Sequence, residues 1–195
     1  MSILTLGALE KGYVEDLKNW RNDLMVSFRQ FRPLNSINQE DWITRISRED
    51  KNLMLAVLNK SAIPGSNTNY LVGVVGLCYI DWVERFAEAS IIIGPEYRGK
   101  GYGEWALKAL CNYGFVDIGL HRIWAEIFSF NKGSIKLFEK IGFKHEGVAR
   151  EKQFAYGRYH DSIMMGLLEK EWFEVHERPT VSDGKAIVDS SETPS

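Results

Sequence analysis

Apolar residues recur along this chain with two different periods, and each change of period marks a new element. Where the spacing is three and four residues, the apolar positions fall on one face of a helix. We expect these helices at Val14–Asp23, around Trp42 with Asn38 as the N-terminal cap, from Glu104 onward, and at Ser134–Ile141.

Between the helices the chain carries β-branched, aromatic and alternating runs, which favour strands. The early and late strands come in pairs joined by turns, whereas the middle strands alternate with helices. This order predicts an α/β fold with a mixed central sheet and helices on both of its faces. The predicted strands are Leu53–Leu58, Leu71–Ile80, Phe86–Ile93, Arg122–Phe128, Phe143–Arg150 and Tyr159–Leu168.

The composition argues against several classes of function. Of 195 residues, 45% are hydrophobic and 26% are charged, as in a globular protein with a sizeable core. A net charge of −2 gives no general attraction to nucleic acid or to a membrane surface. No apolar run approaches the ~20 residues that cross a bilayer. We therefore expect neither nucleic acid nor membrane as a partner.

The distribution of residue types along the chain adds three expectations. Residues become polar and small after Trp172, so we predict one domain over residues 1–175 and a disordered tail over 176–195. The four histidines are far apart, which predicts no metal site. Cys78 and Cys111 lie within apolar elements, as is typical of reduced thiols in a cytoplasmic protein.

Residues 98–103 read Arg-Gly-Lys-Gly-Tyr-Gly and join the predicted strand Phe86–Ile93 to the helix that follows. Glycine at every second position lets the backbone approach a ligand closely. The helix start adds N–H groups and the positive end of a dipole, which favour a phosphate. The segment therefore predicts a pyrophosphate loop made by Arg98, Gly99, Lys100, Gly101, Tyr102 and Gly103.

Two common phosphate-binding patterns do not fit this spacing. A dinucleotide pattern counted from Gly99 would require a third glycine where the chain has Glu104. The Walker pattern requires serine or threonine after Lys100, where the chain has Gly101. An ATP-binding enzyme is therefore the weakest interpretation, and the pattern that fits is R-x-x-G-x-G, which ends at Gly103.

This loop resembles the coenzyme A loop of the GCN5-related N-acetyltransferase family. The Asn-x-x-Ser helix start at Asn131 and Ser134, and the Gly-Phe that closes that helix, are similar to the second half of the family. Trp20-Arg-Asn-Asp and the Trp42 helix resemble the start of its ribosomal-protein and amino-sugar branch. The resemblance spans Leu4 to Trp172 and implies a largely antiparallel, twisted sheet of about seven strands. It also implies acetyl-CoA as donor and an amine as acceptor.

Acetyl transfer requires donors to an oxyanion and a base for the amine. By resemblance, the donors are backbone N–H groups of Ile91, Ile92 or Ile93, on the strand before the loop. Two carboxylates are candidates for the base. Glu126 shares a strand face with aromatic residues that would desolvate it, and Glu88 has the matching place on the preceding strand. A further alternative is that the two carboxylates share the task through a water.

The leaving thiolate requires a proton, and here the chain departs from the family pattern. Many members place a tyrosine in the helix after the asparagine, where this chain has Phe138. Ser134 is then the nearest hydroxyl, and either it protonates the thiolate or it only caps the helix. Water could also supply the proton. By resemblance, Asn131 contacts the pantetheine arm or organises the turn, and Phe138 lies beside the cofactor.

The acceptor is expected to bind near the first two helices, beside an aromatic and basic group of residues. Arginines next to stacking aromatics suit a nucleotide or a phosphorylated sugar, whereas a polyamine would require carboxylates. The same pattern also fits tryptophans in the core with arginines reaching out to solvent. The residues concerned are Trp20, Arg21, Phe28, Phe31 and Arg32.

Together these observations predict an acetyl-CoA-dependent N-acetyltransferase. We expect direct attack without a covalent intermediate, because neither cysteine has an evident activating partner. The acceptor is expected to be a small amine, such as an amino sugar or sugar nucleotide, with a protein amino terminus as the alternative. The competing class is a module that binds acyl-CoA without catalysis, which Phe138 in place of tyrosine would favour. The protein is expected to be a monomer or a homodimer.

Overall fold

The computed structural model describes residues 3–25, 30, 32–60, 69–178, 181–182 and 185–186. The strands are β1 (Ile3–Ala8), β2 (Leu53–Lys60), β3 (Asn69–Asp81), β4 (Phe86–Ile93), β5 (Arg122–Phe128), β6 (Lys144–Ala155), β7 (Arg158–Leu168), β8 (Val181–Ser182) and β9 (Lys185–Ala186). The α-helices are α1 (Val14–Asp23), α2 (Ser36–Ile46), α3 (Tyr102–Asn112), α4 (Lys132–Ile141) and α5 (Glu169–Val175).

The first seven strands form one sheet in the order β1-β2-β3-β4-β5-β7-β6. Neighbouring strands run antiparallel except for β4 and β5, which are parallel. This confirms the predicted mixed, largely antiparallel sheet. Within the described ranges, no helix is long and apolar enough to cross a membrane.

The structure corrects several predicted boundaries. The N-terminal cap of α2 is Asn35, not Asn38, because the Asn35 side chain accepts the N–H of Asn38 at 2.8 Å. Asn38 is instead the third helical residue, and its side-chain oxygen accepts the N–H of Asn35 at 3.4 Å. Helix α3 begins at Tyr102 rather than Glu104, and α4 begins at Lys132 rather than Ser134.

The sequence prediction lacks β1, α5 and the short strands β8 and β9. Strand β1 pairs along its length with β2, from Ile3 opposite Lys60 to Ala8 opposite Leu55. Helix α5 is held to the core by Trp172, which is 2% exposed. In the predicted tail, β8 and β9 pair with each other, and the disorder of 176–195 stays a prediction.

Alternation along β4 divides the core into two layers. Ala87, Ala89 and Ile91 belong to a cluster that includes Leu107 of α3 and Ile135 of α4. Ile92 points to the opposite face of the sheet, where it packs with Leu17 and Trp20 of α1 and Ile43 of α2. Both faces are therefore covered by helices, as predicted, and β4 contributes to each layer.

Helix α2 offers a matched test of the second layer. Ile43 is 3% exposed in this layer and Ile37 of the same helix is 69% exposed. We expect Ile43→Ala to lower the free energy of unfolding by about 2–5 kcal/mol, because it removes buried methyl groups and leaves a cavity. Ile37→Ala should change it by less than about 0.5 kcal/mol. Urea denaturation measures both, and equal losses would contradict this packing of α2.

Candidate active site

Strands β4 and β5 separate soon after they begin. They pair in parallel only from Phe86 opposite Arg122 to Glu88 opposite Trp124. Beyond this point β4 stays with β3 as far as Ile93, and β5 stays with β7 to its end. A wedge-shaped gap therefore opens within the sheet, with unpaired strand edges on its two sides.

The register between β3 and β4 decides which backbone groups face the gap. The N–H of Gly94 donates to the carbonyl of Val72 at 3.0 Å, so this N–H points toward β3. Backbone N–H groups alternate in direction along a strand. The N–H of Ile92 therefore also points toward β3, whereas those of Ile91 and Ile93 point toward the gap. The structure thus removes Ile92 from the predicted oxyanion donors and leaves the other two.

The glycine loop follows the gap directly. After β4 the chain makes one 3₁₀ turn, and α3 then begins with Gly101 as its N-terminal cap. Gly99 and Gly101 have φ angles of +72° and +79°, a region that favours glycine. Gly101 has no side chain that could bond the first N–H groups of α3. These groups are thus open to an anion.

Gly103 differs from the other two glycines of the loop. It lies within α3 and is not among the residues with positive φ. A Cβ atom at Gly103 would lie 3.4 Å from Leu137 Cδ2 and 3.6 Å from Ile93 Cγ1, which are ordinary contacts. Neither its backbone angles nor its described neighbours require glycine here. Close approach of a ligand to the first turn of α3 would explain why residue 103 is a glycine.

The polar side chains of the loop contact the protein itself. Arg98 donates from Nε to the carbonyl of Ile93 at 3.1 Å, which ties the loop to the end of β4. The Lys100 ammonium lies 5.8 Å from the centre of the Tyr97 ring. The Tyr102 hydroxyl accepts a bond from Asn59 at 3.4 Å. The part of the loop that is open to a ligand is therefore its backbone.

At the start of α4 the asparagine, not the serine, is the cap. The Asn131 side chain accepts the N–H of Ser134 at 3.1 Å. The interpretation of Ser134 as a cap is therefore wrong, and its hydroxyl has no hydrogen-bond partner among the described residues. Phe138 is 3% exposed and packs edge-to-face on Phe143, with ring centres 4.8 Å apart. Phe138 is thus a core residue of this structure.

The two candidate bases lie on the same face of the sheet. Glu88 is opposite Trp124 at the last paired position, and Glu126 is two residues further along β5. The Glu126 side chain is 4% exposed, and its carboxylate pairs with Lys152 Nζ at 2.7 Å. Gln153 donates to its second oxygen at 3.3 Å. The predicted desolvation of Glu126 is therefore accompanied by an ion pair that the sequence pattern did not indicate.

A cavity of about 120 Å³ lies between this face of the sheet and the first two helices. Two of its lining residues are neighbours of Glu88, namely Cys78 across the strand pair and Ser90 on the same strand. Arg21 is the charged residue among those that line it. The described lining consists of Leu17, Arg21, Trp42, Met54, Val74, Cys78, Ser90 and Ile92.

The Arg21 guanidinium is held by neutral partners. It donates from Nε to Gln30 Oε1 at 3.2 Å and from Nη1 to Gln39 Oε1 at 3.1 Å. It also lies 4.8 Å from the centre of the Trp42 ring. Burial lowers the pKa of Arg21 below its ordinary value. Sequence reasoning missed Gln39, although its spacing from Trp42, Ile43 and Ile46 places a glutamine on the apolar face of α2.

The other predicted acceptor residues have different locations. Trp20 is 5% exposed and packs edge-on against Tyr97. A Cβ atom at Gly94 would lie 2.5 Å from the Trp20 ring, so this tryptophan supports the loop from within the core. Its assignment as an acceptor contact is therefore corrected. Arg32 is exposed, and Phe28 and Phe31 lie outside the described residues.

The family follows from a comparison with known proteins. Residues 4–144 match the model of the acetyltransferase (GNAT) domain. The chain belongs to the GNAT family. This acetyltransferase is similar to the spermidine N(1)-acetyltransferase of Vibrio cholerae, with 30% identity over 174 residues, or 88% of this chain and 96% of the relative.

Solved structures agree with this assignment. Spermidine N-acetyltransferase from Vibrio cholerae in complex with CoA and spermine has a TM-score of 0.78 and 28% identity, over 87% of this chain and 98% of that one. A dodecameric structure of the same enzyme has a TM-score of 0.75 and 28% identity, over 89% and 98%. These relatives confirm the fold and the N-acetyltransferase class, and they support coenzyme A binding.

Neither cysteine of this acetyltransferase is suited to act as a nucleophile. Burial, with a further contribution from the charge of Glu88, raises the pKa of the Cys78 thiol to about 11. Burial also raises the pKa of Cys111. Both thiols therefore stay protonated at neutral pH. In the part of the chain that the structure describes, no cluster of His, Cys, Asp or Glu could hold a metal ion.

A substitution at Gly103 should change the free energy of unfolding and the affinity for coenzyme A in opposite directions. Gly103→Ala should raise the free energy of unfolding by about 0.5–1 kcal/mol, because alanine is the better helix residue and meets only ordinary contacts. The same substitution should weaken coenzyme A binding by about tenfold or more, or ~1.4 kcal/mol. Thermal unfolding and calorimetric titration measure the two effects. Gly147→Ala on β6 is the control, and unchanged coenzyme A affinity of Gly103→Ala would contradict the close approach.

Proposed function

We propose that this acetyltransferase transfers the acetyl group of acetyl-CoA directly to a primary amine of a small molecule. The observation that carries the proposal is the gap between β4 and β5 next to the glycine loop. A phosphate loop alone would fit many enzymes. A phosphate loop beside two inward-facing N–H groups of a broken sheet fits a donor with a pyrophosphate at one end and a thioester at the other.

On the donor side, the backbone would carry most of the recognition. The loop from Arg98 to Gly103 and the first turn of α3 would hold the pyrophosphate. The thioester supplies an activated acyl group and a thiol that leaves. Ile91 and Ile93 would donate N–H bonds to the acyl oxygen as negative charge develops on it. Donors of this kind contribute on the order of 3 kcal/mol each in other acyl-transfer enzymes.

On the acceptor side, Glu88 is the favoured base. It stands where β4 and β5 part, and its same-face neighbour Ser90 lines the cavity. We assign proton removal to Glu88 because its neighbours Cys78 and Ser90 both line the cavity. Glu126 stands across the gap, where its two oxygens accept bonds from Lys152 and Gln153 of β6. The carboxylate of Glu126 would add negative charge near the amine, and it could act with Glu88 through a water.

The leaving thiolate would be protonated from the α4 side of the gap. Ser134 stands at the start of α4 with a hydroxyl that no described residue engages. Phe138 has no proton to give and is buried in the core. Since both cysteines stay protonated, a covalent acetyl-enzyme on Cys78 or Cys111 is not part of this mechanism.

The size of the cavity suits a small acceptor. About 120 Å³ beneath two helices accommodates a small group or the end of a larger molecule. Spermidine and spermine are the amines named for the relatives. For this chain, an amino sugar or sugar nucleotide is the acceptor class proposed from its sequence, and a protein amino terminus is the alternative.

Thiol release from acetyl-CoA tests this function. We expect release to rise about tenfold or more, the equivalent of ~1.4 kcal/mol, with at least one small amine. The panel contains spermidine, amino sugars, UDP-amino sugars and peptides with free amino termini. Stimulation by peptides alone would support the protein acetyltransferase instead. Binding of acetyl-CoA without release in any mixture would support the non-catalytic module.

Substitution of each carboxylate tests the choice of base. Glu88→Gln should lower kcat/KM by about 10²–10⁴-fold, since it removes the proton acceptor, and should leave coenzyme A affinity unchanged. Glu126→Gln should have a smaller effect on turnover. Glu84→Gln, in the turn before β4, is the matched control. If the large loss occurred in Glu126→Gln and not in Glu88→Gln, the base would be Glu126.

A further inference from the structure

We propose that the cavity beside Glu88 binds an oxyanion group of the acceptor, a carboxylate or a phosphate, through Arg21. The acceptor would then be an amine that carries negative charge, in contrast to the polyamines named for the relatives. This inference rests on the proposed function, because it names the substrate class of the same site.

The charge of Arg21 has no anionic partner among the described residues. No carboxylate in the described part of the chain forms an ion pair with it, and its hydrogen-bond partners are two neutral amides. In the sequence, residues 26–31 read Val-Ser-Phe-Arg-Gln-Phe and include no acidic residue. Arginine is rarely buried without an anionic partner, and Arg21 is half-buried. Here the cavity that Arg21 lines is the place where such a partner can bind.

The amides around Arg21 orient its guanidinium without neutralising it. A guanidinium can only donate, so the Gln30 and Gln39 amides must turn their oxygens toward it. Their nitrogens then face elsewhere, and neither buried Nε2 has a hydrogen-bond partner among the described residues. Gln39 is fully buried. Neither glutamine lines the cavity, and neither supplies a negative charge to balance the guanidinium. The positive charge of Arg21 is thus left for a ligand in the cavity, which suits an oxyanion better than an ammonium group.

The cavity has the right size and position for one end of a small acceptor. Its 120 Å³ compares with an apolar cavity of roughly 150 Å³ that holds benzene. Leu17 and Ile92 provide apolar walls, and Ser90 connects the cavity to Glu88. Ser90 and Glu88 are two residues apart on one strand, or roughly 7 Å. One molecule could thus place its amine at Glu88 and its oxyanion at Arg21.

A polyamine would bring a second positive charge into the cavity that Arg21 lines. Its first amine could be deprotonated at Glu88, but a second ammonium in the cavity would lie beside the Arg21 guanidinium. Like charges at short range in a site shielded from water repel strongly. Arg21 is therefore also a residue that would exclude polycationic acceptors.

Matched acceptor pairs test the inference in the full-length protein. The pairs are glucosamine 6-phosphate with glucosamine, and β-alanine with propylamine, and spermidine is tested alone. We expect at least one anionic member to exceed its neutral partner by about 10–100-fold in kcat/KM, the range of a hydrogen bond to a charged group. Arg21→Met should remove this preference, so that the two members of each pair differ by less than about threefold in kcat/KM. Arg21→Lys should retain part of the preference.

A binding measurement keeps the inference separate from the proposed function. Calorimetry with inorganic phosphate and with glucosamine 6-phosphate is done on protein saturated with coenzyme A, so that the cofactor's own phosphate sites are filled. We expect binding that Arg21→Met abolishes and Arg21→Lys retains, with both variants shown to be folded by thermal unfolding. Arg21-dependent binding without any turnover would overturn the proposed function and support the anion site.

Two results would overturn the inference itself. One is turnover of spermidine or a neutral amine that equals or exceeds that of every anionic partner, with Arg21→Met unchanged or faster. The other is phosphate binding of the same strength in wild type and Arg21→Met. Either result would leave acetyl transfer intact while removing the anionic acceptor.

Discussion

The sheet does not close between β4 and β5, and most of the site depends on this loss of pairing. Backbone N–H and C=O groups inside a protein need partners, and β4 finds them on the β3 side along its length. Beyond Glu88, β5 no longer supplies them on the other side. Arg98 satisfies the carbonyl of Ile93, and the N–H groups of Ile91 and Ile93 face the gap. The broken sheet thus creates directed donors without a dedicated side chain.

Alternation along β4 then separates the two proposed substrate sites. Ile91 packs with the layer beneath α3 and α4, so this side of the strand supports the helix whose first turn is proposed to bind the phosphates. Ser90 and Ile92 point to the opposite face and line the cavity under α1 and α2. In the proposed mechanism the two sites therefore meet at one strand, and the amine would reach the acyl group through the gap.

The sequence predicted what local spacing determines. Strands β4 and β5 and helix α1 have the predicted bounds, because each is a strongly patterned segment between turns. Strand β1 was missed because its pairing with β2 joins residues about 50 positions apart, which local pattern does not reveal. The cap of α4 was ambiguous because Asn131 and Ser134 are both good capping residues, and only the observed bond distinguishes them.

The acceptor side was the least predictable, and helix α1 shows why. Trp20 and Arg21 are adjacent in sequence, but successive helical residues point about 100° apart. Trp20 therefore packs under Gly94 and supports the glycine loop, whereas Arg21 reaches Gln39 and the cavity. An aromatic–basic pattern does not specify which residue is core and which is site. The consequence is mechanical as well, because Trp20 contacts Gly94 and Tyr97, which lead into the glycine loop, and Arg21 lines the cavity. Leu17 and Trp20 anchor α1 in the core, so a shift of this helix would reach both the loop and the cavity.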